Sequence, residues 1–290
     1  MNSSAAMLRD VLDLAPSEAR TDEDIFVGTT PEMGPRRVFG GQVLAQSLMA
    51  AARTVEPGRP AHSMHGYFLR PGDPDSPITY GVSRLRDGRS FSARRVQAYQ
   101  EGVPILSMIA SFETPGSGPE YQDRMPQGVP DPESLPTAAQ DLADVHDPRA
   151  EAWAFQRPFD LRYPEGSLYI STPEVTERNL VWMRLKEDFD APEAMHCAAL
   201  AYASDYTLIE TALRRAGTNW VQAAPSLHMA SLDHAMWWHR PARADEWLLF
   251  AQDATSAQGS RALIRGSIFN RAGELVATVA QEGMVRLPSA

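Results

Sequence analysis

At 290 residues, 43% of them hydrophobic and 22% charged, the chain has the length of roughly two domains and enough apolar matter to fold them, which excludes a disordered protein. Lys and Arg total 27 against 37 Asp and Glu, and the net charge of −10 is the wrong balance for a protein that neutralises a nucleic-acid backbone. The single cysteine, Cys197, excludes an internal disulfide and a cysteine-built zinc site, and no run approaches the roughly 18–20 apolar residues of a membrane helix.

In chain order, Met1 to Asp10 carries acid early and lacks the apolar stretch of a secretory signal, so a cytoplasmic protein is expected. Ile25 to Gly28 is a short apolar segment. Gln42 to Val55 is alanine-rich and predicts a helix, with no Asp or Glu anywhere from Phe39 to Val55. The segment His62-Ser-Met-His-Gly-Tyr-Phe-Leu-Arg-Pro71 follows. Alternating strands then run from Ser83 to Ser111, with a polar turn at Arg86-Asp-Gly88. Six prolines between Pro115 and Pro136 remove backbone donors and suit neither helix nor central strand. They predict the start of a linker reaching to about Pro158.

The same order of elements then returns. Leu180 to Leu185 is apolar, and Glu193 to Arg215 predicts a second alanine-rich helix. Ala230-Ser-Leu-Asp-His-Ala-Met-Trp-Trp-His-Arg-Pro241 leads into strands from Leu248 to Val285, with turns at Ala257-Gln-Gly259 and Asn270-Arg-Ala-Gly273. Arg70-Pro71 recurs as Arg240-Pro241, 170 residues on, and Gly102-Val-Pro-Ile recurs as Gly273-Glu-Leu-Val, 171 residues on. Two anchors within one residue of a common offset mark an internal duplication. The expected division is an N-terminal unit over 1–115, a Pro-rich linker over 116–157 and a C-terminal unit over 158–290. Ala198, Ala199, Ala201 and Ala203 give the second helix small side chains on several faces, so other backbone can approach it closely. An antiparallel sheet wrapped around one such helix is the hotdog arrangement. The fold class expected is therefore α+β: two tandem hotdog domains packed as an intrachain pseudo-dimer.

Three side chains stand out chemically. Asp205 falls on the row Ala198, Ala201, Asp205, Leu208, Ala212, which is otherwise apolar, so its carboxylate is aimed inward. Burial raises a carboxylate's pKa and makes it a candidate general base. The competing expectation is that Ser204 or Asp205 caps a separate helix starting at Tyr206. Gln281 shares a strand face with Leu275, Ala277 and Val279, where a buried amide needs partners and can orient a water or an oxyanion; a frayed strand end in solvent is the alternative. Ser231 lies on a strand expected from Met229 to His239. Strict alternation puts His234 on the opposite face from Ser231 and Asp233, and no Gly-x-Ser-x-Gly elbow is present, which argues against a serine nucleophile. The seven histidines show no metal-ligand spacing, and neither a Walker loop nor a dinucleotide fingerprint occurs.

Phe39-Gly-Gly-Gln-Val-Leu-Ala-Gln46, His65-Gly-Tyr-Phe-Leu-Arg-Pro71, Ala201-Tyr-Ala-Ser-Asp-Tyr206, Ser231-Leu-Asp-His-Ala-Met-Trp237, His239-Arg-Pro241 and Gln281-Glu-Gly283 together resemble the acyl-CoA thioesterase II family, in that family's order, from about Ile25 to Arg286. The resemblance implies a double-hotdog hydrolase of medium- or long-chain fatty acyl-CoA. It implies that Asp205, Ser231 and Gln281 hold one attacking water, with Ser231 where the family carries Thr or Ser, and that the first copy's site is degenerate. It implies no metal, no cofactor beyond the CoA of the substrate and no covalent intermediate. Gly40, Gly41, His65, Arg240 and Arg265 are candidate substrate contacts, the two arginines for CoA phosphates. The partner expected is acyl-CoA, with no nucleic acid and no membrane insertion, in a homo-oligomer. An enoyl-thioester hydratase and a non-catalytic acyl-CoA binder are the alternatives.

Overall fold

A computed structural model describes residues 4–16, 22–31, 37–146, 148–169, 175–224 and 227–286. The first half contains helix α1 (Ser4–Leu12), strands β1 (Ala15–Pro16) and β2 (Asp24–Gly28), helix α2 (Gly40–Ala52), and strands β3 (Ala61–Phe68), β4 (Ile78–Asp87), β5 (Phe91–Gln100) and β6 (Val103–Glu113). Two four-residue helices follow, α3 (Ala138–Asp141) and α4 (Pro148–Glu151), with a short π-helical turn at Ala152–Gln156. The second half holds β7 (Phe159–Arg162), β8 (Arg178–Leu185), α5 (Glu193–Ser204), α6 (Thr211–Arg215), α7 (Trp220–Ala223), β9 (His228–Ser231), β10 (Asp233–Trp238), β11 (Leu248–Gln258), β12 (Arg261–Asn270) and β13 (Leu275–Arg286).

Every strand pair is antiparallel, and all the strands join one 13-stranded sheet. Each half contributes one sheet around one long helix, and the two sheets meet where β3 pairs with β10, from Ser63↔Trp237 to Tyr67↔Asp233. This is the double hotdog, closed into a pseudo-dimer within one chain. The duplication extends to irregularities. The register shifts at Arg84/Arg86 and Ala98/Tyr99 recur at Ala254/Ser256 and Ile268/Phe269.

The two long helices pack on each other inside the curved sheet, in one core. Their composition permits this. A Cβ on Gly41 of α2 would stand 2.3 Å from the Tyr202 carbonyl oxygen of α5, so the backbones touch where that side chain is missing. Burial then falls on α2 almost all round, and its polar residues need partners. Gln46 donates to the Val11 and Thr29 carbonyls at 2.7 and 3.0 Å and accepts from the Tyr80 hydroxyl.

Two expected elements are interrupted. The helix foreseen from Glu193 to Arg215 stops at Ser204. The chain turns through Asp205 and Thr207 (φ −126°), stacks Tyr206 on Phe39 at 4.8 Å, and resumes as a 3-10 turn at Leu208–Glu210. The strand foreseen from Met229 to His239 is broken at Leu232. Ser231 pairs with Gly283 but Ala235 with Ala280, so four steps on one strand oppose three on the other, which is a β-bulge. The first copy has its counterpart between Ala61 and Ser63.

The Pro-rich stretch carries only a 3-10 turn at Pro132–Ser134 before α3. It crosses the outer face of the second sheet. Met125, Val129 and Leu135 pack on Leu180, Trp182 and Trp247, and the Trp182 indole N–H donates to the Pro130 carbonyl at 2.9 Å.

Candidate active site

Asp205 is the residue at which α5 ends, and the close approach of α5 to α2 brings its carboxylate to the first turn of α2. Phe39 precedes that turn and offers no side-chain cap, and with the Gln42 and Val43 N–H groups bonded back to the Phe39 carbonyl the acid meets the positive end of the helix dipole. The Gly41 N–H bonds the carboxylate. Gly40 leaves room for it: a Cβ there would lie 2.7 Å from Asp205 Oδ2 and 3.0 Å from the Phe68 ring.

Two strands supply the rest. Ser231, at the end of β9, donates from Oγ to Asp205 Oδ1 at 3.1 Å. Gln281, on β13, donates from Nε2 to the same oxygen at 2.9 Å and also to Ser231 Oγ. The three groups form a closed triangle in which both amide protons and the hydroxyl proton are used. Gln281 is fully buried, which removes the frayed-end alternative. Neither Ser204 nor Asp205 caps the following turn, whose N-cap position is Thr207. Burial pushes the Asp205 carboxyl up to about 6, with the bonds from Gln281, Ser231 and Gly41 opposing the rise. That places a carboxylate with base strength at neutral pH at the edge of open space.

The open space is a cleft of about 350 Å³ between the two halves of the chain. Val38, Val43, Phe68 and Ile105 of the first half and Leu232 of the second form apolar wall, Asp205 and Ser231 lie in it, and exposed Arg37 and Arg70 contribute to its lining. No described residue of the Pro-rich segment lines it.

The remaining sequence candidates divide. Gly40 and Gly41 are at the site. His65 is not: it stands exposed on the opposite side of β3 from the buried Gly66, edge-on to Trp237 at 4.9 Å. Arg240 donates to the Leu275 carbonyl at 2.8 Å and lines a different cleft with Trp237 and Thr278. Arg265 donates to Thr255 Oγ1 at 3.2 Å from the exposed face of β12, while its neighbour Ile264, paired with Gln281, faces the core. Alternation separates Arg265 from the site, and the bond to the Leu275 carbonyl holds Arg240 at the other cleft.

Sequence reasoning missed Arg37, Arg70 and the place of His234. Arg70 was visible only as the twin of Arg240, and nothing local distinguished which twin faces the cleft. Alternation separates His234 from Asp233 as expected, but the bulge at Leu232 brings it to the same side as Ser231, where strict alternation sets the two apart. Its buried ring in fact lies with Nδ1 3.2 Å from Gln281 Oε1 and Nε2 3.0 Å from Ser204 Oγ. It makes no bond to Ser231, and Asp233 accepts instead from the Glu282 N–H at 2.7 Å, so no Ser-His-Asp relay forms.

Residues 29–113 match the domain family described as acyl-CoA thioesterase N-terminal domain, and residues 132–285 the one described as acyl-CoA thioesterase C-terminal domain. The chain is 36% identical to acyl-CoA thioesterase 2 of Haemophilus influenzae over 290 residues, covering 97% of this chain and 98% of that protein. Among solved structures it is similar to an acyl-CoA thioesterase II, TesB2, of Mycobacterium marinum, at 40% identity and TM-score 0.78 over 98% of both chains. A hot dog fold protein of unknown function from Alicyclobacillus acidocaldarius, 18% identical, covers 98% of this chain and 99% of its own at TM-score 0.77, a likeness of fold alone.

Proposed function

From the premise that this chain belongs to the acyl-CoA thioesterase II family and is a thioester hydrolase, we propose that Asp205, Ser231 and Gln281 hydrolyse fatty acyl-CoA through a single positioned water. The observation that carries this reading is the triangle of the three side chains around a carboxylate of raised pKa at the wall of an apolar cleft.

Asp205 takes a proton from water as the oxygen attacks the thioester carbonyl. Oδ1 is held by Ser231 and Gln281, which leaves Oδ2, beside Gly40, to receive that proton. The oxyanion of the tetrahedral intermediate faces the first turn of α2, where the positive end of the helix dipole favours negative charge. Collapse of the intermediate breaks the carbon–sulfur bond. The sulfur leaves with the proton that Asp205 took, giving a fatty acid and the free thiol of CoA. A thiolate is a good leaving group, so hydrolysis needs no covalent enzyme intermediate.

The acyl chain of a medium- or long-chain substrate takes the apolar wall of Val38, Val43, Phe68, Ile105 and Leu232. Arg37 and Arg70 replace Arg240 and Arg265 as the cations for CoA phosphates. The hydratase alternative calls for a histidine working beside the acid on substrate. His234 is shut behind Gln281 with no exposure, which favours hydrolysis. Released thiol measured across acyl-CoA from short to long chains tests the reading, with Asp205→Asn as the control. A loss of about 10²- to 10⁴-fold in kcat is expected for that variant, and undiminished turnover would reject the role of Asp205.

A further inference from the structure

We propose that His234 is a positioning residue: it locks the Gln281 amide in the one orientation that lets its nitrogen, not its oxygen, meet Asp205 and Ser231. The inference rests on the hydrolytic reading of Asp205 and adds a residue to it.

An ionised Asp205 is an acceptor only, so Gln281 must turn Nε2 toward it. That turns Oε1 the other way, into a region with no exposure to solvent, where an acceptor without a donor is costly. The donor is the imidazole of His234, with Nδ1 3.2 Å from Oε1. Burial depresses the basicity of this ring to a pKa of about 4, so it is neutral and carries one N–H. That proton must sit on Nδ1. Nε2 is then an acceptor, and Ser204 Oγ, 3.0 Å from it and 2.9 Å from the Ala201 carbonyl, turns its single hydroxyl proton from that carbonyl to Nε2. The resulting chain runs one way: Ser204 hydroxyl to His234, His234 to Gln281, Gln281 to Asp205.

Reversing any link reverses the amide. With the proton on Nε2, bare Nδ1 would attract the Gln281 NH₂ group. The amide oxygen would then confront Asp205 Oδ1 and Ser231 Oγ, costing two bonds and setting oxygen against a carboxylate. The duplication supplies an internal control. Under the offsets of 170 for β10 and 171 for β13, the first copy has Met64 in place of His234, Ala110 in place of Gln281 and Ala61 in place of Ser231. Where the amide is missing, the histidine is missing too.

Three substitutions separate orientation from mere packing. His234→Asn places an amide donor near the site of Nδ1 and is expected to keep kcat within about threefold of the parent. His234→Phe fills the same space without a donor and is expected to lower kcat about 10- to 100-fold with KM within about twofold. His234→Gln reaches toward Ser204 instead of Gln281 and is expected to behave like the Phe variant. In a Gln281→Ala background, His234→Phe is expected to add no further loss, because the histidine acts through the amide. Equal losses in all three single variants, full activity in the Phe variant, or additive losses in the double variant would overturn the proposal. Ring ¹⁵N shifts of His234 in the unmodified protein test it without any variant: a protonated Nδ1 and bare Nε2 support it, and the opposite tautomer overturns it. If Asp205→Asn is fully active, the hydrolytic reading is what fails. If Asp205 is essential and His234→Phe is silent, only the role of His234 fails.

Discussion

Asp205 combines two demands that pull against each other. Its base strength comes from burial, and burial weakens the fold whenever the group is charged. The sign follows from the direction of the shift, from an ordinary 3.8 up to about 6. Below the lower value both folded and unfolded chains hold the proton and no penalty exists. The penalty grows as pH rises between the two values and is complete above the upper one. Asp205→Asn should therefore raise Tm at pH 8, by the equivalent of about 1–2 kcal/mol after allowance for solvent contact through the cleft, and the gain should vanish near pH 4. Paired thermal melts at the two pH values check this; an unchanged gap would contradict it. On the proposed mechanism the same shift governs turnover. The acid limb of kcat/KM should rise with pH and level off above a midpoint near 6, because only the carboxylate accepts the water proton. That Asp205, Ser231 and Gln281 come together was legible from their residue types and the family resemblance. His234 was legible as a strand residue, but its place on the same side as Ser231 was not.

At the scale of elements, the site is a product of three interruptions: the end of α5, the uncapped start of α2 and the bulge between β9 and β10. The two glycines at the start of α2 divide the work. Gly41 meets fixed backbone, the Tyr202 carbonyl, so Gly41→Ala should drive the helices apart and cost about 1–3 kcal/mol of stability or more, read as a lower Tm. Gly40 meets the Asp205 carboxylate and a phenylalanine ring, both able to swing. Gly40→Ala should leave Tm within a few degrees while lowering kcat at least about tenfold, through displacement of the acid. Equal effects of the two substitutions would refute the distinction. Helix and strand identities were readable because period and composition are local properties. The break at Asp205 was not, since Tyr206 leaves the helical path to stack on Phe39, a residue more than 160 positions earlier. The bulge was not, because it exists only relative to β13.

For the whole molecule, residues of both copies meet at one cleft, with the first half supplying the helix start and apolar wall and the second supplying Asp205, Ser231 and Gln281. The arginines at this shared cleft give a test of substrate class. Arg37→Ala combined with Arg70→Ala should raise KM for acyl-CoA several-fold at constant kcat, and should not alter KM for an acyl thioester of N-acetylcysteamine, which lacks phosphates. Arg240→Ala and Arg265→Ala should leave both unchanged; a rise in KM from either would return the phosphate contact to those residues. No helix among the described residues is long and apolar enough to cross a membrane. Sequence alone determined the duplication, the places of the two long helices and of the main strands, the acid-free first long helix and the residue types of the candidate site, because each is set by composition, period or spacing along the chain. Tertiary structure alone decided which arginines face the cleft, that the Pro-rich segment covers the outer sheet, and that His234 stands behind Gln281. Those outcomes hang on pairing between distant strands, where one inserted residue turns every following side chain to the other face.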